Sequence, residues 1–90
     1  MKYDVWDDEK AEINEIRHGV RFEAVYDLDW STVLESEDIR RDYGEKRFIA
    51  YGLINDRLHC LVYTVRDDLV RVISLRKANK REVSRYGQAI

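Results

Sequence analysis

The sequence predicts an α+β domain with helices packed against an antiparallel sheet. Three observations carry this. Residues 46–54, Arg57–Arg66 and 69–76 are consecutive runs rich in β-branched and aromatic side chains, separated only by Asn55-Asp56 and Asp67-Asp68. Two residues is the length of a tight hairpin loop, so the runs read as neighbouring antiparallel strands. A helix with signals at both ends precedes them, and Asn79-Lys80-Arg81-Glu82 after them has the form of a capping box.

Taken in order, residues 2–6 read as a short strand, and Asp7-Asp8 offers an N-cap to a helix that ends at His18-Gly19. Acidic Asp8, Glu9 and Glu12 at its start and basic Arg17 and His18 at its end match the helix dipole, and Gly19 suits the left-handed C′ position. Ile13, Ile16 and Val20 recur at helical spacing and are expected to form its buried stripe. Residues 22–28 predict a second helix with Phe22, Val25 and Tyr26 facing inward. Between Asp29 and Gly44 the pattern weakens: Thr32-Val33-Leu34 suggests a strand and 36–44 a charged loop. The closing helix places Val83, Tyr86 and Ile90 on one side. The expected order is β-α-α-β-β-β-β-α, in one domain over residues 1–90.

Composition narrows the class. The 90 residues hold one cysteine, Cys60, and no proline, which excludes an internal disulfide framework and a cysteine zinc site. A reducing, cytoplasmic setting is expected. The acidic N-terminus lacks the apolar core of a signal peptide, and no uncharged run is long enough to span a bilayer, so no membrane partner is expected. The net charge of −2 hides an asymmetry: residues 1–45 carry 14 acidic and 6 basic side chains, whereas residues 46–90 carry 4 acidic and 10 basic. Fields act locally, over a Debye length of roughly 8 Å at physiological salt, so the total does not exclude a nucleic-acid partner.

Neither loop has a glycine, so an extra residue or a bulge is the alternative to two-residue hairpins, which would set the following register. One sheet face then carries Glu45, Arg47, Ile49, Tyr51 and Leu53, opposite Arg66, Thr64, Val62, Cys60 and Leu58, with Leu69, Arg71, Ile73 and Leu75 alongside. Glu45 stands across from Arg66, and Arg47, Thr64 and Arg71 form a row. The other face carries Phe48, Ala50, Leu61, Tyr63, Val65, Val70 and Val72, with His59, Ser74 and Arg76 toward one end. The charged row has two readings: a solvated edge with a weak surface ion pair, or an anion site in which Arg47, Arg66, Arg71 and Arg76 grip phosphate oxygens with planar guanidinium forks.

Seven ordered blocks give a family resemblance. Tyr3, Trp6 and Asp7 are followed by Lys10 and Asn14, then Arg17-His18-Gly19-Val20 and Phe22-Glu23-Ala24-Val25. Next come 45–50 with Gly52, 62–66, and 71–78, with Glu82 and Tyr86 in the closing helix. Together the blocks resemble the BrnT-type toxins of bacterial type II toxin–antitoxin systems. Tyr3, Arg17 and Leu75 depart from the usual residues, and the last is expected to alter the packing near Arg76. The resemblance implies a RelE-like ribonuclease fold and a metal-independent endoribonuclease, without a cofactor, that arrests growth by cutting RNA. It also implies a cognate antitoxin with a ribbon-helix-helix DNA-binding domain, with operator DNA reached only through the complex.

Cleavage of RNA without metal needs a base for the 2′-hydroxyl, an acid for the departing 5′-oxygen and cations for the phosphorane-like transition state. Arg66 and Arg76 rank first as catalytic electrostatic groups, and Glu45, His18 and Tyr63 are the titratable candidates. Arg47, Arg71, Lys10, Arg17, Lys77 and Lys80 are the expected RNA-binding residues. Each has a plainer alternative. His18 fits a helix C-terminus, which favours the imidazolium. Lys10, Asn14 and Arg17 share a helix face that either borders the sheet cleft or is merely solvated. Trp6 reads as a core anchor before a stacking platform, His59 as an edge residue without chemistry and Cys60 as a small buried hydrophobe. The basic closing helix suits RNA phosphates or an acidic antitoxin segment equally. Competing functions are a non-catalytic RNA- or protein-binding module and a DNA-binding co-repressor that acts only with its antitoxin.

Overall fold

The structure is a computed structural model that describes all of residues 1–90. Four antiparallel strands form a meander in the order β1-β2-β3-β4: β1 Leu28–Glu37, β2 Phe48–Ile54, β3 Arg57–Arg66 and β4 Leu69–Lys77. Helix α1 Asp8–His18 and a 3₁₀ turn Phe22–Asp27 precede the sheet, and helix α2 Lys80–Ala89 closes the chain. The α+β class follows the sequence, but the order does not quite. The strand expected at 2–6 is reduced to one parallel bridge between Tyr3 and Val70, because the chain leaves the β4 edge after Asp4 to reach the helix cap. The second helix is the 3₁₀ turn, and β1 runs well beyond Thr32-Val33-Leu34 at both ends, leaving only residues 38–47 as loop.

Helix α1 is capped as its ends predict. The Asp7 carboxylate accepts hydrogen bonds from the backbone N–H groups of Glu9 and Lys10, and Gly19, at φ 70°, returns its N–H to the Glu15 carbonyl. Its buried face is a correction. Ile13 and Ile16 are exposed, and the buried α1 residue is Asn14. The core beneath α1 is filled by Val20, Phe22 and Val25 from the segment after it, with Trp6 edge-on to Phe22, so the isoleucines find no cavity to enter. Tyr26 also points outward, lying against Tyr3 and Trp6. Asn14 instead pins the helix to the sheet: its amide donates to the carbonyls of Val20 (3.0 Å) and Leu75 (2.7 Å), and its oxygen accepts from the Leu75 N–H (3.2 Å).

Both hairpins have two-residue loops. Asn55, Asp56, Asp67 and Asp68 all take positive φ, between 47° and 64°, the primed-turn geometry that matches strand twist. The β2–β3 ladder runs from Phe48↔Tyr63 to Ile54↔Arg57 as expected. The β3–β4 ladder keeps its expected register from Arg66↔Leu69 to Tyr63↔Val72, then shifts so that Val62 pairs with Ser74 and Cys60 with Arg76. Ile73 is the extra residue of a β-bulge, and a one-residue slip exchanges the faces of everything after it. Leu75 therefore enters the core, fully buried with Ala50, Leu61, Tyr63, Val70 and Val72. Ser74 and Arg76 turn to the opposite face, contrary to the regular register.

Helix α2 has the expected capping box: the Asn79 side chain accepts from the Glu82 N–H, and the Glu82 carboxylate accepts from the Asn79 N–H. Its predicted apolar stripe is not what it buries. Val83 and Ile90 are exposed, Tyr86 is half-buried, and the buried residue is Glu82. The helix is held to the sheet by polar contacts, among them the Tyr86 hydroxyl donating to the Thr32 carbonyl.

Candidate nucleic-acid interface

The sheet face away from the core carries arginines at both ends of an apolar row. At one end, Glu45 lies between two guanidinium groups, 3.6 Å from Arg47 Nε and 3.8 Å from Arg66 Nη2. The predicted Glu45–Arg66 meeting is therefore present, with Arg66 half exposed. Thr64 pairs with Arg71 across the strands, and its hydroxyl donates to the Lys46 carbonyl. Arg71 donates to the Val5 carbonyl (2.6 Å) and lies 3.7 Å from Asp4, so the N-terminal segment fixes its direction.

Arg47 is positioned by the loop for which the sequence offered no clear reading. Asp38 is buried and accepts from the Arg40 guanidinium, the Arg40 N–H and the Tyr43 hydroxyl. The Arg40 pairing holds its carboxyl well below the usual range. The Tyr43 ring so anchored lies 4.1 Å beneath the Arg47 guanidinium, a cation–π contact.

At the other end stands Arg76, brought there by the bulge. Both of its terminal nitrogens donate to Glu82, at 2.8 and 2.9 Å, and Tyr51 donates to the same carboxylate at 2.6 Å. Arg76, with Tyr51 and the Asn79 N–H, pulls the Glu82 pKa down to about 2 against the cost of burial. Cys60 lies between Tyr51 and Arg76 in the ladder, buried, with its thiol pKa raised by that burial.

Beside this end runs a cleft between α1 and the bulge, lined by Lys10, Ile13, Asn14, Arg17, His18, Ile73 and Ser74. The polar stripe of α1 thus does border the sheet. Asn14 is committed to the backbone, which leaves Lys10, Arg17 and His18 as its free polar groups. The imidazole of His18 has its pKa lowered, first by desolvation and then by the charges of Arg17 and Arg76. The shift is opposite in direction to the one expected from the dipole at a helix C-terminus.

Two other predicted residues lie elsewhere. Tyr63 is on the core face, packed against Trp30 and Phe48, with its hydroxyl donating to Glu35; alternation along β3 turns it away from every arginine of the face. Lys77 pairs with His59 and lines a separate groove with Arg57. His59 is buried, and its Nδ1–H donates to the Arg57 carbonyl. Lys80 is exposed in the first turn of α2. Trp6 packs on the core. No three His, Cys, Asp or Glu side chains stand together as a metal site. Sequence reasoning missed Glu82 and Tyr51 as parts of the site: the capping box singled out Glu82, but nothing in the pattern showed that its carboxylate meets β4.

A family profile described as "Ribonuclease toxin, BrnT, of type II toxin-antitoxin system" matches residues 6–82. The chain belongs to the BrnT toxin family. The match spans α1, the whole sheet and the start of α2 through Glu82, so it takes in both ends of the arginine face. Comparison with curated proteins found no match. A BrnT toxin is a ribonuclease, with RNA as its substrate and an antitoxin as its partner. No helix of the chain is long and apolar enough to cross a membrane.

Proposed function

We propose that this chain is a metal-independent endoribonuclease with a RelE-like fold, acting in the cytoplasm as one domain. The arginine face is its RNA-binding surface. The observation that carries the reading is the bulge at Ile73, which turns Arg76 onto the face of Arg47 and Arg71 and whose Ile73 and Ser74 line the same cleft as His18. Arg47, Arg66 and Arg71 hold the phosphates of the strand, and Lys10 and Arg17 extend the track along α1. Glu45 keeps Arg47 and Arg66 apart and oriented. Lys80 meets phosphate at the rim, whereas Lys77 and Tyr63 fall outside the path.

At the scissile phosphate, neutral His18 takes the proton of the 2′-hydroxyl. The 2′-oxygen forms a bond to phosphorus, the bond to the 5′-oxygen breaks, and that oxygen takes a proton from water. The products are a 2′,3′-cyclic phosphate and a 5′-hydroxyl. Arg76 stabilises the charge that gathers on the phosphorane oxygens, where a fixed cation acts most strongly.

Uncontrolled, this activity arrests growth. The antitoxin neutralises it, and a ribbon-helix-helix domain on that antitoxin takes the complex to operator DNA. Induced expression in a bacterial host tests the reading: growth stops and cellular RNA is degraded with the wild-type chain, co-expressed antitoxin restores growth, and Arg76→Ala is harmless. Normal growth and intact RNA under strong wild-type expression would favour a non-catalytic binding module instead.

A further inference from the structure

Glu82 belongs, on the sequence, to the cap of α2, yet its carboxylate is saturated by groups that have little to do with capping. An ionised carboxylate has about four acceptor sites. Oε1 takes Arg76 Nη1 and the Asn79 N–H, and Oε2 takes Arg76 Nη2 and the Tyr51 hydroxyl. Only the Asn79 bond serves the helix. The other three tie α2 to β4 and β2.

The donors of Arg76 can be counted in the same way. A guanidinium has five N–H groups in a rigid plane. Nη1 meets Glu82 Oε1 at 2.8 Å and the Lys77 carbonyl at 3.3 Å, and Nη2 meets Oε2 at 2.9 Å. Two donors remain, the Nε–H and the second Nη2–H, and they point out from the same edge of the group. The only buried side-chain nitrogen or oxygen without a partner is Arg47 Nε, so the unpartnered Arg76 Nε is not sealed from solvent, on a side chain about one-third exposed. Two parallel N–H groups on one edge are the fork that takes two phosphate oxygens.

We infer that Glu82 is a positioning residue for RNA cleavage: by holding Arg76 end-on, with Tyr51 bracing the carboxylate, it presents the free Nε/Nη2 edge of Arg76 to the phosphate. The inference rests on the role of Arg76 proposed above. Glu82 itself touches no substrate. A neutral amide in its place can still accept from Asn79, so the cap survives, but one leg of the Arg76 fork then meets an NH₂ group and the guanidinium is free to turn.

The test is steady-state cleavage of a short labelled RNA by the purified full chain and its E82Q, R76A and E82Q/R76A variants, with helix content and melting followed by circular dichroism. E82Q is expected to keep its helix and to lose kcat by about tenfold to a hundredfold, the cost of displacing a positioned group. KM should change little. Adding E82Q to R76A should cost nothing more, since Glu82 acts only through Arg76. R76K, which keeps the charge and the partner but not the fork, should resemble R76A. Wild-type kcat in E82Q, or a further loss when E82Q is added to R76A, overturns the inference. Wild-type kcat in R76A overturns the functional reading itself. Should E82Q fail to fold, Tyr51→Phe removes one brace and leaves the ion pair; its smaller loss of kcat must also vanish in the R76A background.

Discussion

Two buried polar residues do the work that apolar side chains were expected to do. Asn14 replaces an isoleucine stripe as the contact between α1 and β4, and its three hydrogen bonds all end on backbone groups of Val20 and Leu75. Asn14→Ala leaves those groups unpaired in a closed environment. The predicted cost is about 2–4 kcal/mol, at roughly 1–3 kcal/mol for each unsatisfied group with partial relaxation. Urea unfolding of the variant measures it. Glu82 gives a pH dependence. Its folded pKa, about 2, lies below the ordinary value of 4.5, so between these values the unfolded chain binds the extra proton and stability rises with pH. The stabilisation from Glu82 is complete above pH 4.5 and is lost as the pH falls toward 2. The stability gap between wild type and E82Q should close over that window when urea midpoints are followed against pH. Neither role was legible in the sequence, because an Asn among charged helix residues and a Glu in a capping box have ordinary local explanations. Their partners lie 61 and 6 residues away.

At the scale of elements, local signals carried furthest where geometry is local. The caps of α1, the capping box of α2 and both two-residue hairpins follow directly from residue types at fixed spacing. The turns also carry a cost, since four non-glycine residues occupy the left-handed region. Glycine lifts that restriction, so the double variant Asp56→Gly/Asp68→Gly should gain about 1 kcal/mol, seen as a melting point higher by roughly 4–8 °C in a domain of this size. What the sequence hid was the place of the bulge. No glycine marks Ile73, and a run of alternating β-formers gives no sign of where the ladder slips. That one residue decides whether Leu75 or Arg76 is buried. Gly52 marks a second irregularity, where the β1 register shifts between Asp29 and Leu34. A Cβ there would lie 2.7 Å from Val33 Cγ2 and 2.9 Å from Leu28 Cδ1. Gly52→Ala is therefore expected to destabilise the chain by about 1–3 kcal/mol, the usual cost of overpacking, measurable as a lowered urea midpoint without loss of secondary structure.

Over the whole molecule, the acidic and basic halves of the sequence do not separate into two sides. The acidic half supplies Asp4 and Glu45 to the arginine face itself, where they orient Arg71, Arg47 and Arg66, and Glu82 does the same for Arg76. A face that is basic in outline but internally paired is suited to placing guanidinium groups in fixed directions rather than to holding polyanions by bulk charge. RNA binding should fall with salt at a log–log slope of roughly −0.7 for each phosphate contact, and each arginine-to-alanine change on the face should make that slope shallower by about one contact. The central claim is that this face, with Arg76 at its reactive end, cuts RNA without metal. The most direct measurement is the cleavage of a short labelled RNA by the purified chain in excess EDTA, wild type against Arg76→Ala. The account predicts products ending in a 2′,3′-cyclic phosphate with EDTA present, and a rate lower by about a hundredfold or more in the variant. Cleavage that stops in EDTA and returns with added metal, or an Arg76→Ala variant that cuts at the wild-type rate, would contradict it.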